Sequence, residues 1–169
     1  MEYWDELDEH GNPTGRLLVR GEAMKAGSYH QVVHVWITNG DGEFLISKRA
    51  PNKTFPCMWE TVGGSVLSGE SSVEGALRGA AEEVGVVLVP DDGRLFKRML
   101  RRGYNDHVDV WLYTKNVAAD TLALQADEVS DARWATIDEI RRMMDAGEFI
   151  GKCIFDYVEE LFEAVSKMA

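Results

Sequence analysis

The sequence predicts a mixed α/β fold in one domain, and three observations carry that expectation. Period-two apolar runs and period-3.6 stripes follow one another in mixed order along the chain. The 169 residues, 45% apolar and 28% charged, suffice for one hydrophobic core. No internal repeat, low-complexity tract or Pro/Ser-rich linker interrupts them. Residues 1–169 therefore read as one unit, with an arm over 1–29, a core over 30–146 and a C-terminal helix over 151–169.

The elements follow in order. YWDELDE and GRLLVRG flank a turn at Gly11-Asn12-Pro13, which predicts a hairpin arm. Gln31–Thr38 is β-branched and aromatic, and Glu43–Lys48 follows it across Asn39-Gly40-Asp41-Gly42, a second hairpin. Val73, Ala76, Leu77, Ala80 and Val84 mark one apolar helical face, and Gly85 stands where a left-handed cap belongs. Leu95–Arg102 and His107–Thr114 read as a strand pair, and Ser130–Ala135 as a short strand. Thr136 and Glu139 predict a capping box for a helix to about Ala146. Ile154, Tyr157, Val158, Leu161, Phe162 and Val165 mark the amphipathic C-terminal helix.

The net charge of −11 narrows the functional classes. Such a surface repels nucleic acid polymers and anionic membranes. No apolar run is long enough to span a bilayer, and the N-terminus lacks the marks of a secretory signal. Cys57 and Cys153 have no metal-ligand spacing, so free thiols in a cytoplasmic protein are expected. The acidity is uneven: five charges fall in Met1–Glu9, two in Gly151–Ala169 and three in Gly64–Val86. The termini need only a solvated surface to account for them.

The interior segment needs another reason. With the apolar stripe facing the core, Glu82 lies opposite Val73, Glu83 lies on one flank, and Arg78 can pair with Glu82. Adjacent carboxylates near a helix C-terminus oppose the helix dipole. A hard divalent cation such as Mg²⁺ removes that penalty, and it prefers oxygen ligands. Gly63-Gly64 just before the helix permits close approach of backbone.

This segment resembles the Nudix box, G-x5-E-x7-R-E-U-x-E-E-x-G-U with U apolar, through Gly64, Glu70, Arg78, Ala80, Glu82, Glu83, Gly85 and Val86. The preceding FPCMWETVGG and the later Asp127-Glu128-Val129…Trp134 extend the likeness over roughly 30–144. The resemblance implies an α/β/α sandwich around a mixed sheet. It also implies Mg²⁺- or Mn²⁺-dependent hydrolysis of a diphosphate bond in a nucleoside diphosphate derivative or similar small molecule. By position, Glu82, Glu83 and the Gly63 carbonyl would bind metal, while Glu70 and Arg78 would hold the loop–helix geometry and Gly64 and Gly85 would be structural. Gly79 stands where the box has a glutamate that is commonly a ligand or the general base. Glu128 is the first candidate to supply the missing base, ahead of Asp127.

Lys48 and Arg49 precede the box-bearing loop, where the resemblance places substrate-phosphate contacts. His30 and His34 share a strand side and are weaker ligand candidates; Asp106 and His107 read as a hairpin tip. Lys97, Arg98, Arg101 and Arg102 read as a solvated edge strand, and Trp36, Trp59 and Trp111 as sheet positions. Two alternatives stand beside hydrolysis. Gly79 suits a catalytically silent module that binds a nucleotide or protein. The N-terminal arm is similar to that of the isopentenyl-diphosphate isomerases, but their chemistry needs a cysteine where this chain has Glu60-Thr61-Val62-Gly63. A homodimer through the arm is expected from analogy alone.

Overall fold

The computed structural model describes residues 1–168. Strands β1 (Tyr3–Leu7) and β2 (Pro13–Val19) form the arm as an antiparallel pair. The main sheet holds β3 (His30–Thr38), β4 (Glu43–Arg49), β5 (Trp59–Glu60), β6 (Val62–Ser65), β7 (Gly93–Arg101), β8 (Asp106–Thr114) and β9 (Val129–Thr136). Helix α1 (Ser72–Val84) covers one face; α2 (Ile137–Asp145) and α3 (Val158–Ser166) cover the other. The result is the α/β/α sandwich around a mixed sheet.

Two apolar layers explain that arrangement. Along β3, Val33, Val35 and Ile37 pack with Ala76, Ala80 and Val84 of α1. Trp36, on the opposite face, joins Phe44, Val110, Ile140, Leu161 and Phe162. A strand buried on both faces needs a nearly continuous apolar run, which QVVHVWIT supplies apart from Gln31, His34 and Thr38.

The β3–β4 hairpin is present at its turn, but its strands separate almost at once. Only Thr38 and Phe44 pair across it. From there β3 runs parallel to β8 and antiparallel to β6, while β4 pairs with β5 and β9. The segment Trp59–Ser65 fills the wedge, leaving β4 at Glu60 and joining β3 at Val62. Thr61 sits in the gap and donates its hydroxyl to the Val35 carbonyl at 2.7 Å. This wedge positions the candidate site.

Four expectations need correction. The C-terminal helix spans Val158–Ser166 only; turns occupy most of 151–157. The core does not stop at 146, because Phe149, Phe155 and Tyr157 are buried in it. Asp106 and His107 are not a hairpin tip but the buried start of β8, where Asp106 accepts two bonds from Arg101 and His107 meets the Asp8 carbonyl. Thr136 does cap α2, yet Glu139 turns to the Thr136 hydroxyl and Arg133 instead of closing the box. The reciprocal box forms at α1, where the Ser71 and Glu74 side chains each accept from the other's backbone N–H.

β7 is the predicted edge strand, and three of its cations are paired: Arg98 with Asp109, Lys97 with Glu160 and Arg101 with Asp106. Trp36 is fully buried, while Trp59 and Trp111 are half-buried. The arm lies against its own chain. Leu7 and Tyr29 exchange backbone bonds, Trp4 stacks on His30 at 4.0 Å, and Asp5 accepts from Ser68 and Gly69.

Candidate functional site

The site is built around α1 and the loop before it. Arg78 reaches back from the helix: its Nε lies 2.6 Å from Glu70 Oε1, and its Nη2 donates to Glu70 Oε2 and to the Ser65 carbonyl. Glu70 also accepts from the Leu67 N–H at 2.9 Å. These contacts tie the end of β6, the loop and the helix into one body. Gly63 admits no side chain, since a Cβ would stand 2.7 Å from the Val33 carbonyl oxygen. At the far end of α1, Gly85 takes φ 71° and returns its N–H to the last turn.

Glu82 and Glu83 diverge as the helical geometry requires. Glu82 is exposed, with one oxygen 3.1 Å from Arg78 Nη1. Glu83 turns into a cleft of about 270 Å³ between α1, the wedge and the loop at 125–129. Burial pushes its carboxyl up to about 8, and the nearby charges of Glu60 and Glu128 push the same way. The Gly63 N–H and Arg49 oppose them.

The loop carrying Glu128 is fixed by the helix end. Ala123 and Gln125 donate their N–H groups to the Val84 and Glu83 carbonyls, two acceptors that α1 leaves open. Glu128 pairs through its side chain with Lys53, and its carbonyl accepts from Ala50. Arg49 extends from the end of β4 and holds Glu60 with both carboxylate oxygens, at 2.9 and 3.1 Å. Burial still pushes Glu60 upward against that pair. Glu2 and Arg20 of the arm complete one wall, 3.1 Å apart.

The cleft thus gathers Gly63, Gly64, Arg78, Glu82, Glu83, Glu128 and Arg49 of the expected residues. Lys48, Asp127, His30 and His34 are not on its lining. His30 lies under Trp4, and His34 is bonded through Nδ1 to the Tyr157 hydroxyl at 2.7 Å. Burial holds His34 far below the usual imidazole range, at about 3, so its ring is neutral. Among the described residues, no three His, Cys, Asp or Glu side chains stand gathered as a ready ligand set. The donor chemistry nonetheless fits a hard cation, because the crowding of Glu60 and Glu128 around half-buried Glu83 is a charge excess that such a cation relieves.

The NUDIX domain family matches residues 28–155. The chain belongs to the Nudix family. A Nudix hydrolase of Listeria monocytogenes is 39% identical over 153 residues, 89% of each chain. One from Listeria innocua is 36% identical over 166 residues, 96% of this chain and 95% of its own. A crystal structure from Deinococcus radiodurans superposes with a TM-score of 0.74 at 23% identity, covering 99% of both chains, which shows the shared fold. As a Nudix hydrolase, this protein acts on pyrophosphate bonds.

Within this Nudix box, Gly79 lines the cleft and has nothing within 4 Å of an added Cβ. Sequence reasoning missed four residues here: Glu60, Lys53, Glu2 and Arg20. Glu60 carried a usable signal, a carboxylate between Trp59 and Val62 in an otherwise apolar run. Lys53 lies five residues beyond Lys48 and takes the place in the cleft that Lys48 was expected to hold. Glu2 and Arg20 carried none, since only docking of the arm brings them near.

Proposed function

We propose that this chain hydrolyses the diphosphate bond of a nucleoside diphosphate derivative or a similar organic pyrophosphate, using Mg²⁺ or Mn²⁺. The observation that supports this reading best is the placing of half-buried Glu83 near Glu60 and Glu128, beside the cations Arg49 and Lys53. Glu82, Glu83 and the Gly63 carbonyl would hold the metal. Bound there, the cation would neutralise the diphosphate and lower the pKa of a water.

The chain's own groups divide the remaining work. Arg49 and Lys53 bind phosphate oxygens through charge-assisted bonds. Glu128 accepts the proton of the attacking water, with its loop held by the end of α1. Glu70 and Arg78 keep β6 and α1 in register, so Gly63 and Glu83 stay on the same wall.

Release of phosphate or nucleotide from a panel of nucleoside diphosphate derivatives tests the reading. Wild type should turn over in Mg²⁺ or Mn²⁺ and stall with a chelator, and Glu83→Gln should lower kcat/KM about 100-fold or more. A second reading, a binding module without turnover, draws on the open space at Gly79. It gains if wild type releases nothing while Gly79→Glu does; Glu82→Gln with unchanged turnover counts against the ligand assignment.

A further inference from the structure

On the β6 side, the carboxylate cleft adjoins a second cavity of about 200 Å³. Arg49, Glu60, Gly63 and Gly64 line both, so they form a shared wall. Beyond that wall the lining turns apolar, with Val32, Phe55, Ile150, Ile154 and Phe155. Its polar groups are mostly committed elsewhere. Thr61 donates to the Val35 carbonyl, and Arg49 is held by Glu60 and Thr54.

His34 is the exception. It lines the cavity yet is only 7% exposed. The Trp36 indole N–H donates to the Tyr157 hydroxyl oxygen at 2.9 Å. Among the described residues His34 Nδ1, 2.7 Å away, is the one acceptor beside this hydroxyl, so a phenol proton aimed there leaves no buried donor unpaired. With Nδ1 an acceptor, the neutral ring carries its proton on Nε2. Among the described residues nothing accepts that Nε2–H, and Nε2 is not one of the sealed, unpartnered polar atoms. The Cδ2 beside it faces Gly63 on the shared wall, so the free donor opens into the cavity.

We propose that this cavity is the subsite for the organic half of the substrate. It selects a compact, mainly apolar group that presents one hydrogen-bond acceptor to His34 Nε2–H. A purely apolar occupant would strip that donor of water without replacing the bond. A nucleobase would leave all but one of its edge groups unpaired, so a nucleoside half lies outside this cavity. Tyr157 is a positioning residue that sets the tautomer through its bond from Trp36. This inference rests on the diphosphate-hydrolase reading for its orientation, though the subsite can be probed apart from turnover.

The test uses the full chain and a matched pair, 2-phenylethyl diphosphate and 2-(pyridin-4-yl)ethyl diphosphate, at mildly alkaline pH where the pyridine is neutral. One ring atom distinguishes them. With Mg²⁺ present, kcat/KM should favour the pyridyl ester about tenfold, and His34→Leu should erase the preference. Imidazole ¹⁵N shifts of unliganded wild type should place the His34 proton on Nε2, and Tyr157→Phe should weaken that bias. Without any diphosphate, 4-ethylpyridine should move the Nε2 signal saturably while ethylbenzene should not. Equal rates on both esters with a static His34 signal overturn the subsite and leave the hydrolase reading intact. Turnover of neither ester, with the saturable shift present, supports the subsite and counts against the hydrolase reading. A proton found on Nδ1 in wild type overturns the proposal outright.

Discussion

Two glycines four residues apart on α1 have opposite surroundings. A Cβ at Gly75 would stand 2.9 Å from Val66 Cγ2, whereas one at Gly79 meets nothing within 4 Å. Glycine costs a helix interior about 1 kcal/mol relative to alanine. Gly79→Ala should therefore stabilise the protein by about that amount. Gly75→Ala should lose its gain to overpacking and finish less stable than wild type by roughly 1 kcal/mol. Urea unfolding of the two variants measures the contrast; equal midpoints would show that α1 does not press on Val66. Gly79 is thus not held by packing, and Gly79→Glu should fold normally. The G-x-x-x-G spacing combines one close approach with one open position.

At the level of elements, the loop–helix body depends on one side chain. Arg78 spends its fork on Glu70 and the Ser65 carbonyl, and reaches Glu82 with its remaining nitrogen. Lysine keeps the charge but cannot make those contacts together. Arg78→Lys should lower kcat/KM by roughly 10- to 100-fold, by analogy with lost groups that orient metal ligands. Circular dichroism should show the fold retained. Undiminished turnover would mean that Glu70 and the helix hold their places without the fork. The α1 N-terminus offers a second measurement: Ser71→Ala removes a reciprocal cap and should cost about 1 kcal/mol in urea unfolding.

Across the whole molecule, the folding of the arm is coupled to pH through Glu6, whose partners all lie within residues 1–29. Its buried carboxylate accepts from Thr14, Ser28 and Arg16, and these bonds hold its pKa at about 2, against 4.5 when free. The folded state therefore favours the ionised form. This contribution is complete above about pH 4.5 and is lost as the pH falls toward 2. Glu6→Gln should flatten that part of the acid limb in a plot of unfolding midpoint against pH. Parallel curves for variant and wild type would remove Glu6 as the cause. Because Glu2 and Arg20 line the cleft from the arm, loosening it should also disturb the site before the core melts.

The contiguous part of the site was legible because its determinants are local. The stripe Val73–Val84 sets which face of α1 is buried, and a step of 100° per residue then sends Glu82 outward and Glu83 to the flank. Gly85 ends the helix by its own backbone freedom, and the spacing from Glu70 to Arg78 lets one fork span loop and helix. The mixed α/β class followed from the strand and helix periods, and the sandwich from the resemblance that the box carries. The floor and far wall of the cleft were not legible, because they depend on where β3 and β4 part. Their divergence lets Trp59–Ser65 enter the sheet, turns Glu60 toward Glu83 and makes Gly63 indispensable against Val33. Likewise, only chain closure brings Tyr157 to His34 and Glu128 to the end of α1. The sequence alone determined the helix, its caps and its carboxylates, since neighbours along the chain decide those. The tertiary structure decided which charges share one buried space, since that depends on pairings between strands far apart in sequence.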